Sequence, residues 1–102
     1  MSVVVIATVY PQPEHRAEVI AAFETAVGQV HGEPGCELYA LHEGDDRLVM
    51  VEKWIDEGAL EVHRGAPALA ELGATLRGKL TQGLDVQVVR PHRAGTEGQG
   101  AV

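Results

Sequence analysis

The chain of 102 residues is short of most features that would assign it to a chemistry at once. It has one cysteine, Cys36, so no internal disulfide framework can form. It has 8 Lys and Arg against 15 Asp and Glu, a formal net charge of −7, and the cations are scattered. That balance argues against nucleic acid and against an anionic membrane surface as partners. There is no GxGxxG, no phosphate-binding loop, no CxxC and no HExxH. The five histidines (His15, His31, His42, His63, His92) show no close metal-ligand spacing. The opening MSVVVIATVYPQPEH has no basic n-region, and its apolar run is too short for a signal peptide or a membrane span. A cytoplasmic protein is expected.

What is present is a single domain's worth of patterned sequence. Val3 to Tyr10 is β-branched and reads as a strand with both faces covered. Pro11 and Pro13 end it. From Glu14 to His31 the residues Val19, Ile20, Phe23, Val27 and Val30 make a helical stripe that stops at Gly32. Glu33-Pro34-Gly35 is a turn. Cys36 to Glu43 predicts a second strand, with Leu38, Ala40 and His42 on one face and Tyr39 and Leu41 on the other. A hairpin at Gly44-Asp45-Asp46 leads to a third strand, Arg47 to Trp54, on which Leu48, Met50, Glu52 and Trp54 share a face. Asp56 is placed to cap a helix from Glu57 to about Arg64. Pro67 opens another carrying Leu69, Leu72, Leu76 and Leu80, closed by Gly83, and Leu84 to Arg90 is a fourth strand.

The order βαββαβ predicts an α+β, ferredoxin-like fold, a four-stranded antiparallel sheet with helices on one face, over residues 1–92. Residues 93–102, small and polar, are expected to form a flexible tail. The helix-free face of the sheet needs a cover, and a homodimer is the economical one.

Three residues stand out. Glu52 sits inside an apolar strand; if its face meets the helices it is buried, and must be paired in a salt bridge or have its pKa raised until it can exchange a proton. His63 lies one turn after Leu60, so both can point inward; it is either a core-edge histidine or a proton shuttle. Trp54 is by itself an ordinary packing residue, and so is Cys36. Tyr39, Met50, Leu60 and Leu72 are the side chains expected to line a pocket beside them.

The segments EPGCELYALHE and LVMVEKWIDEGALEVHRGAP resemble the antibiotic biosynthesis monooxygenase family. The ordered positions are Glu33, Gly35, Cys36 and Tyr39, then Glu52 and Trp54, then Ala59, Leu60 and His63; the likeness runs over roughly residues 3 to 91. The resemblance implies a dimeric α+β barrel with a pocket in each subunit. It implies oxygenation of an electron-rich aromatic, a quinol or polyketide phenol, by O₂ without metal, flavin or other cofactor. His63 would then be the base or a hydrogen-bond partner of the substrate oxygen. Trp54 and Tyr39 would shape the pocket, and Glu52 would orient a neighbour or relay a proton. The asparagine and histidine of similar haem-degrading proteins correspond to Ala7 and Gly73, so haem degradation is not expected. The Pro-His pair of many quinol-type members is Pro67-Ala68 here.

Two other readings stay open. One is a binding protein for a small aromatic. The other is an isomerase of a small sugar phosphate or ketone, which would want basic pocket residues; Lys53 and Arg47 are the nearest offered. A pocket holding Glu52 and His63 within reach of one ligand oxygen would favour an enzyme; one plugged by Met50 and the leucines would not.

Overall fold

The structure, a computed structural model, describes residues 1–102. Strand β1 (Val3–Val9) is followed by a single 3-10 turn (Pro13–His15) and helix α1 (Arg16–Val30). Then come β2 (Cys36–Glu43), β3 (Leu48–Trp54), α2 (Glu57–Arg64), α3 (Pro67–Leu76) and β4 (Asp85–Val89). The strands form one antiparallel sheet in the order β2-β3-β1-β4, the ferredoxin-like arrangement expected.

Register decides what the helices cover. Tyr39, Glu52, Val5 and Val88 form one row across the four strands; Leu41, Met50, Ala7 and Val86 form the next. Both rows lie on the helix side, where Val5, Tyr39, Met50 and Glu52 are all buried. Along β3 burial alternates, Leu48, Met50, Glu52 and Trp54 in and Val49, Val51 and Lys53 less so, as period-two alternation requires. On β2 a bulge between Cys36 and Leu38 inserts an extra residue. It puts Cys36 opposite Trp54 and packs it partly against the core, a placement that strict alternation does not give.

Helix α1 buries Val19, Phe23, Ala26 and Val30, with Ile20 and Val27 at the edge of the core. Asp56 caps α2 as expected: its Oδ1 accepts from the Ala59 backbone N–H at 2.8 Å. Helix α3 is shorter than the leucine spacing predicts. It ends at Leu76, because Arg77 turns extended (φ −57°, ψ 126°) and Gly78 takes a left-handed φ of +79°. Leu80 lies beyond the helix, in an isolated bridge with Pro11, and Gly83 closes nothing.

The helices cover β2, β3 and β1 but leave β4 bare, all five of its residues exposed. The other side of the sheet carries no helix. There the last residues run back past β1 and β3: Val4 is buried and Lys53 Nζ donates to the Val102 carbonyl at 2.8 Å. Ile6, Leu38, Val49 and Val51 on that side remain half-exposed. No helix is long and apolar enough to cross a membrane.

Candidate active site

A cavity of about 300 Å³ lies between the helix side of the sheet and helices α1, α2 and α3. That is the lower end of the range for small-molecule pockets. Thirteen of its 17 lining residues are hydrophobic, so the few polar ones decide what can bind. Those are Glu52, His63 and Arg64, joined by the hydroxyl of Tyr39, whose ring counts among the thirteen. Leucines from α2 and α3 (Leu60, Leu69, Leu72) and Phe23 form the roof; Val5, Ala7 and Met50 form the floor. Leu84, Val86 and Val88 form a side wall that is itself open to solvent.

The polar corner is built by three elements. Period-two alternation turns Glu52 and Trp54 of β3 inward. The Trp54 indole Nε1–H donates to Glu52 Oε1 at 2.9 Å. On α2, Leu60 and His63 are the two buried residues, three apart and on one face. The His63 ring stacks on the Trp54 indole at 4.5 Å between centroids and 29° between planes. Tyr39 of β2 meets the same ring edge-on at 5.5 Å. His63 Nε2 lies 3.9 Å from Glu52 Oε1, outside hydrogen-bond distance. The other ring nitrogen, Nδ1, is 2.7 Å from Glu33 Oε1 in the turn before β2.

Burial, the dominant cause, raises the Glu52 pKa above the usual carboxylate range, helped by the nearby Glu33 carboxylate; the Trp54 hydrogen bond and His63 oppose the shift. Burial likewise raises the Tyr39 phenol, reinforced by Glu52 and Glu33, so Tyr39 stays a protonated donor. Burial also raises the Cys36 thiol, with Glu33 and Glu52 adding to it, which keeps that side chain from becoming a thiolate nucleophile.

Of the residues singled out in the sequence, Tyr39, Met50, Glu52, Leu60, His63 and Leu72 all line the cavity. Trp54 does not. It is fully buried behind Glu52 and His63 and touches the pocket only through them. Glu52 has the Trp54 indole N–H as its hydrogen-bond partner. Lys53 points to the helix-free side, and Arg47 is paired with Asp46 and lies over the Tyr10 ring, so neither serves the cavity. The basic residue at the cavity is Arg64, held by Glu61 at 3.2 Å, which the sequence reading passed over although it adjoins His63.

Glu33 entered that reading only as a motif position, with no role. Its signal was its place two residues before Gly35. Gly35 has φ +76°, and a Cβ there would lie 2.6 Å from the Ala59 Cβ and 2.7 Å from the Ile55 Cγ2. Only glycine lets the turn sit this close to the start of α2, and that approach brings Glu33 to His63.

No group of three or more His, Cys, Asp or Glu side chains is gathered to hold a metal ion. Glu33 and Glu52 approach opposite nitrogens of the His63 ring, so the three cannot converge on one ion. Ala7 and Gly73 both line the cavity and present no ligating atom.

Comparison with known proteins agrees with this architecture. Residues 2–74 match the family described as "Antibiotic biosynthesis monooxygenase". The chain is 33% identical over 91 residues to the Mycobacterium tuberculosis protein named "Putative monooxygenase Rv0793", covering 87% of this chain and 90% of that one. The solved structure of Rv0793 superposes with a TM-score of 0.87 at 30% identity, over 94% of this chain and 100% of that chain. Two further structures share the fold. One is a conserved protein from Methanosarcina mazei Go1 (TM-score 0.84, 24% identity, 88% of this chain and 92% of that chain). The other is PA3566 from Pseudomonas aeruginosa (TM-score 0.79, 23% identity, 86% and 91%). With residues 2–74 matched to the family and its fold superposing on a relative 33% identical over most of both chains, the chain belongs to the antibiotic biosynthesis monooxygenase family.

Proposed function

We propose that this chain is a monooxygenase that oxidises an electron-rich aromatic, a quinol or polyketide phenol, with O₂ and without a bound cofactor. The observation that supports it is the pairing of His63 Nε2 and Glu52 Oε1, 3.9 Å apart at one corner of an otherwise apolar cavity. A ligand oxygen about 2.8 Å from each would bridge them. The aromatic body then lies along Phe23, Met50 and Leu72.

The chemistry follows from that pose. His63 Nε2 takes the proton of the ring hydroxyl, leaving an electron-rich phenolate. The phenolate gives one electron to O₂, and the aryloxyl radical and superoxide combine through a new C–O bond. The proton returns to the peroxide, whose O–O bond breaks. The ring carbon that bears the peroxide gives up its own hydrogen as a proton, so one oxygen stays on the ring as a carbonyl and the other leaves as hydroxide, which takes that proton to become water. The protein's part is to take and return the proton, hold the ring and keep bulk water out. Glu52, whose pKa burial raises, stands within hydrogen-bond reach of the same bridging oxygen. Tyr39 supplies a donor at the same corner.

The half-exposed apolar residues Ile6, Leu38, Val49 and Val51 on the helix-free side support a homodimer packed through that face. A binding protein would need no proton acceptor at the pocket's polar corner, and an isomerase of phosphorylated sugars would need more cations than Arg64 alone; neither fits as well.

The test is oxygen uptake by metal-stripped protein with a panel of quinols and anthrones, autoxidation subtracted. Oxygenated product above background is expected, with His63→Ala slower by at least about tenfold, because general bases typically give 10²–10⁴. Ligand binding, read by quenching of Trp54 fluorescence, without any oxygen uptake would overturn the proposal in favour of a binding protein.

A further inference from the structure

The monooxygenase reading uses Nε2 of His63 and says nothing of the other nitrogen. Stacking on Trp54 and edge contact with Tyr39 fix the plane of the imidazole. They do not fix which way round the ring sits in that plane, nor which nitrogen carries the hydrogen. A neutral histidine has one N–H and one bare nitrogen, and only the bare one can accept a substrate proton.

We infer that Glu33 is the positioning residue that settles both. Its Oε1 lies 2.7 Å from Nδ1, and the two side chains are 13% and 4% exposed, so water competes little for the bond. An ionised carboxylate only accepts, so Nδ1 carries the hydrogen and Nε2 is left bare. No donor stands within hydrogen-bond distance of Nε2; Glu52 is its nearest ionisable neighbour, at 3.9 Å. The bare nitrogen therefore faces the cavity corner where a substrate hydroxyl would lie.

The backbone is arranged to hold this contact. Gly35 packs on Ala59, and its carbonyl accepts the Ile55 N–H at 2.9 Å. Ala59 and His63 are four apart and so lie on one face of α2. The turn before β2 is thus clamped to α2 at two successive helical turns, by Gly35 on Ala59 and by Glu33 on His63. When Nε2 takes a proton, the imidazolium forms beside a carboxylate already in place, with no side chain to move. The proton count is unchanged by Glu33: the substrate proton goes to Nε2 and the Nδ1 hydrogen stays on the ring.

The inference rests on the proposed oxygenase only for its effect on rate; the tautomer can be read without substrate. The experiment is a long-range ¹H–¹⁵N correlation spectrum of the His63 ring in the substrate-free protein, with oxygen uptake measured beside it. The wild type is expected to show the Nδ1–H tautomer. Glu33→Ala is expected to move the ring to Nε2–H and to slow turnover by about 10–100-fold, the usual scale for losing a histidine's orienting partner. Glu33→Gln, whose amide oxygen can accept the same bond, keeps the Nδ1–H tautomer and restores part of the rate. It serves as the control if Glu33→Ala does not fold. A wild-type ring that is Nε2–H or doubly protonated would overturn the inference, as would a tautomer unchanged in Glu33→Ala or lost in Glu33→Gln. The expected tautomers in a protein that turns over none of the quinols would support Glu33 as the positioning residue and count against the oxygenase reading instead.

Discussion

Trp54→Phe isolates the indole N–H, because phenylalanine keeps an aromatic face against His63 but cannot donate to Glu52. Two costs add. A buried acceptor that loses its donor costs about 1–3 kcal/mol. The smaller ring leaves a void of about 40 Å³ if nothing relaxes, which at about 24 cal/mol per Å³ adds about 1 kcal/mol. The expected loss is about 2–4 kcal/mol, a large share of the stability of a domain this size. With a urea m-value of about 1.5 kcal/mol/M, the midpoint falls by about 1.3–2.7 M. Unfolding should be followed by circular dichroism, since the substitution removes the only tryptophan. A double-mutant cycle with Glu52→Leu then separates the bond from the void: if the hydrogen bond is the main cost, Trp54→Phe is milder by at least about 1 kcal/mol when no carboxyl is there to be orphaned. A loss below about 1 kcal/mol, or equal losses in both backgrounds, would refute this account of the corner.

Three further outcomes follow from the same geometry. Burial raises the Glu52 pKa, so the native state holds its proton to higher pH than the unfolded chain does. Its contribution is fully present below the ordinary carboxylate range and is lost as pH rises through the folded value. Urea titrations from pH 4 upward should show Glu52→Gln gaining on the wild type over that window; parallel profiles would rule the effect out. Gly35→Ala must accept a left-handed backbone, about 1–2 kcal/mol, and push Ile55 and Ala59 aside, about 1–3 more, so a loss of about 2–5 kcal/mol in urea unfolding is expected. A loss under 1 kcal/mol would show that the turn is not clamped as described. For the proposed homodimer, sedimentation equilibrium should give twice the chain mass of 10.9 kDa, and Val51→Glu on the helix-free side should return the monomer mass. A wild-type monomer would remove that part of the proposal.

Much of the fold was legible because local rules were strong where they applied. The β3 residues Leu48, Met50, Glu52 and Trp54 alternate strictly, and Asp56 sits one residue before a run of helix formers. Those two facts alone put Glu52 inside and start α2 in the right place for His63 to face it. The end of α3 was misread for an equally local reason. Gly78 falls inside the leucine stripe and Gly83 follows it; the spacing of Leu76 and Leu80 favoured the later one, whereas Gly78 takes the left-handed turn and stops the helix sooner. The bulge on β2 has no sequence mark at all; it appears only when Cys36 must sit opposite Trp54 while Tyr39 sits opposite Glu52.

The site divides along the same line. Contacts within one strand or one helix could be read from periodicity, so Glu52 with Trp54, and Leu60 with His63, were found. The contact between Glu33 and His63 spans 30 positions and depends on topology. The turn before β2 meets the start of α2 only because β2 and β3 are neighbours and the chain leaves β3 beside the point where it entered β2. Gly35 is the visible trace of that meeting. A glycine forced to φ +76° against two side chains means that something must come close there, though not what comes with it. The acidic residue two positions earlier is what comes with it, and it gives an otherwise ordinary buried histidine a direction.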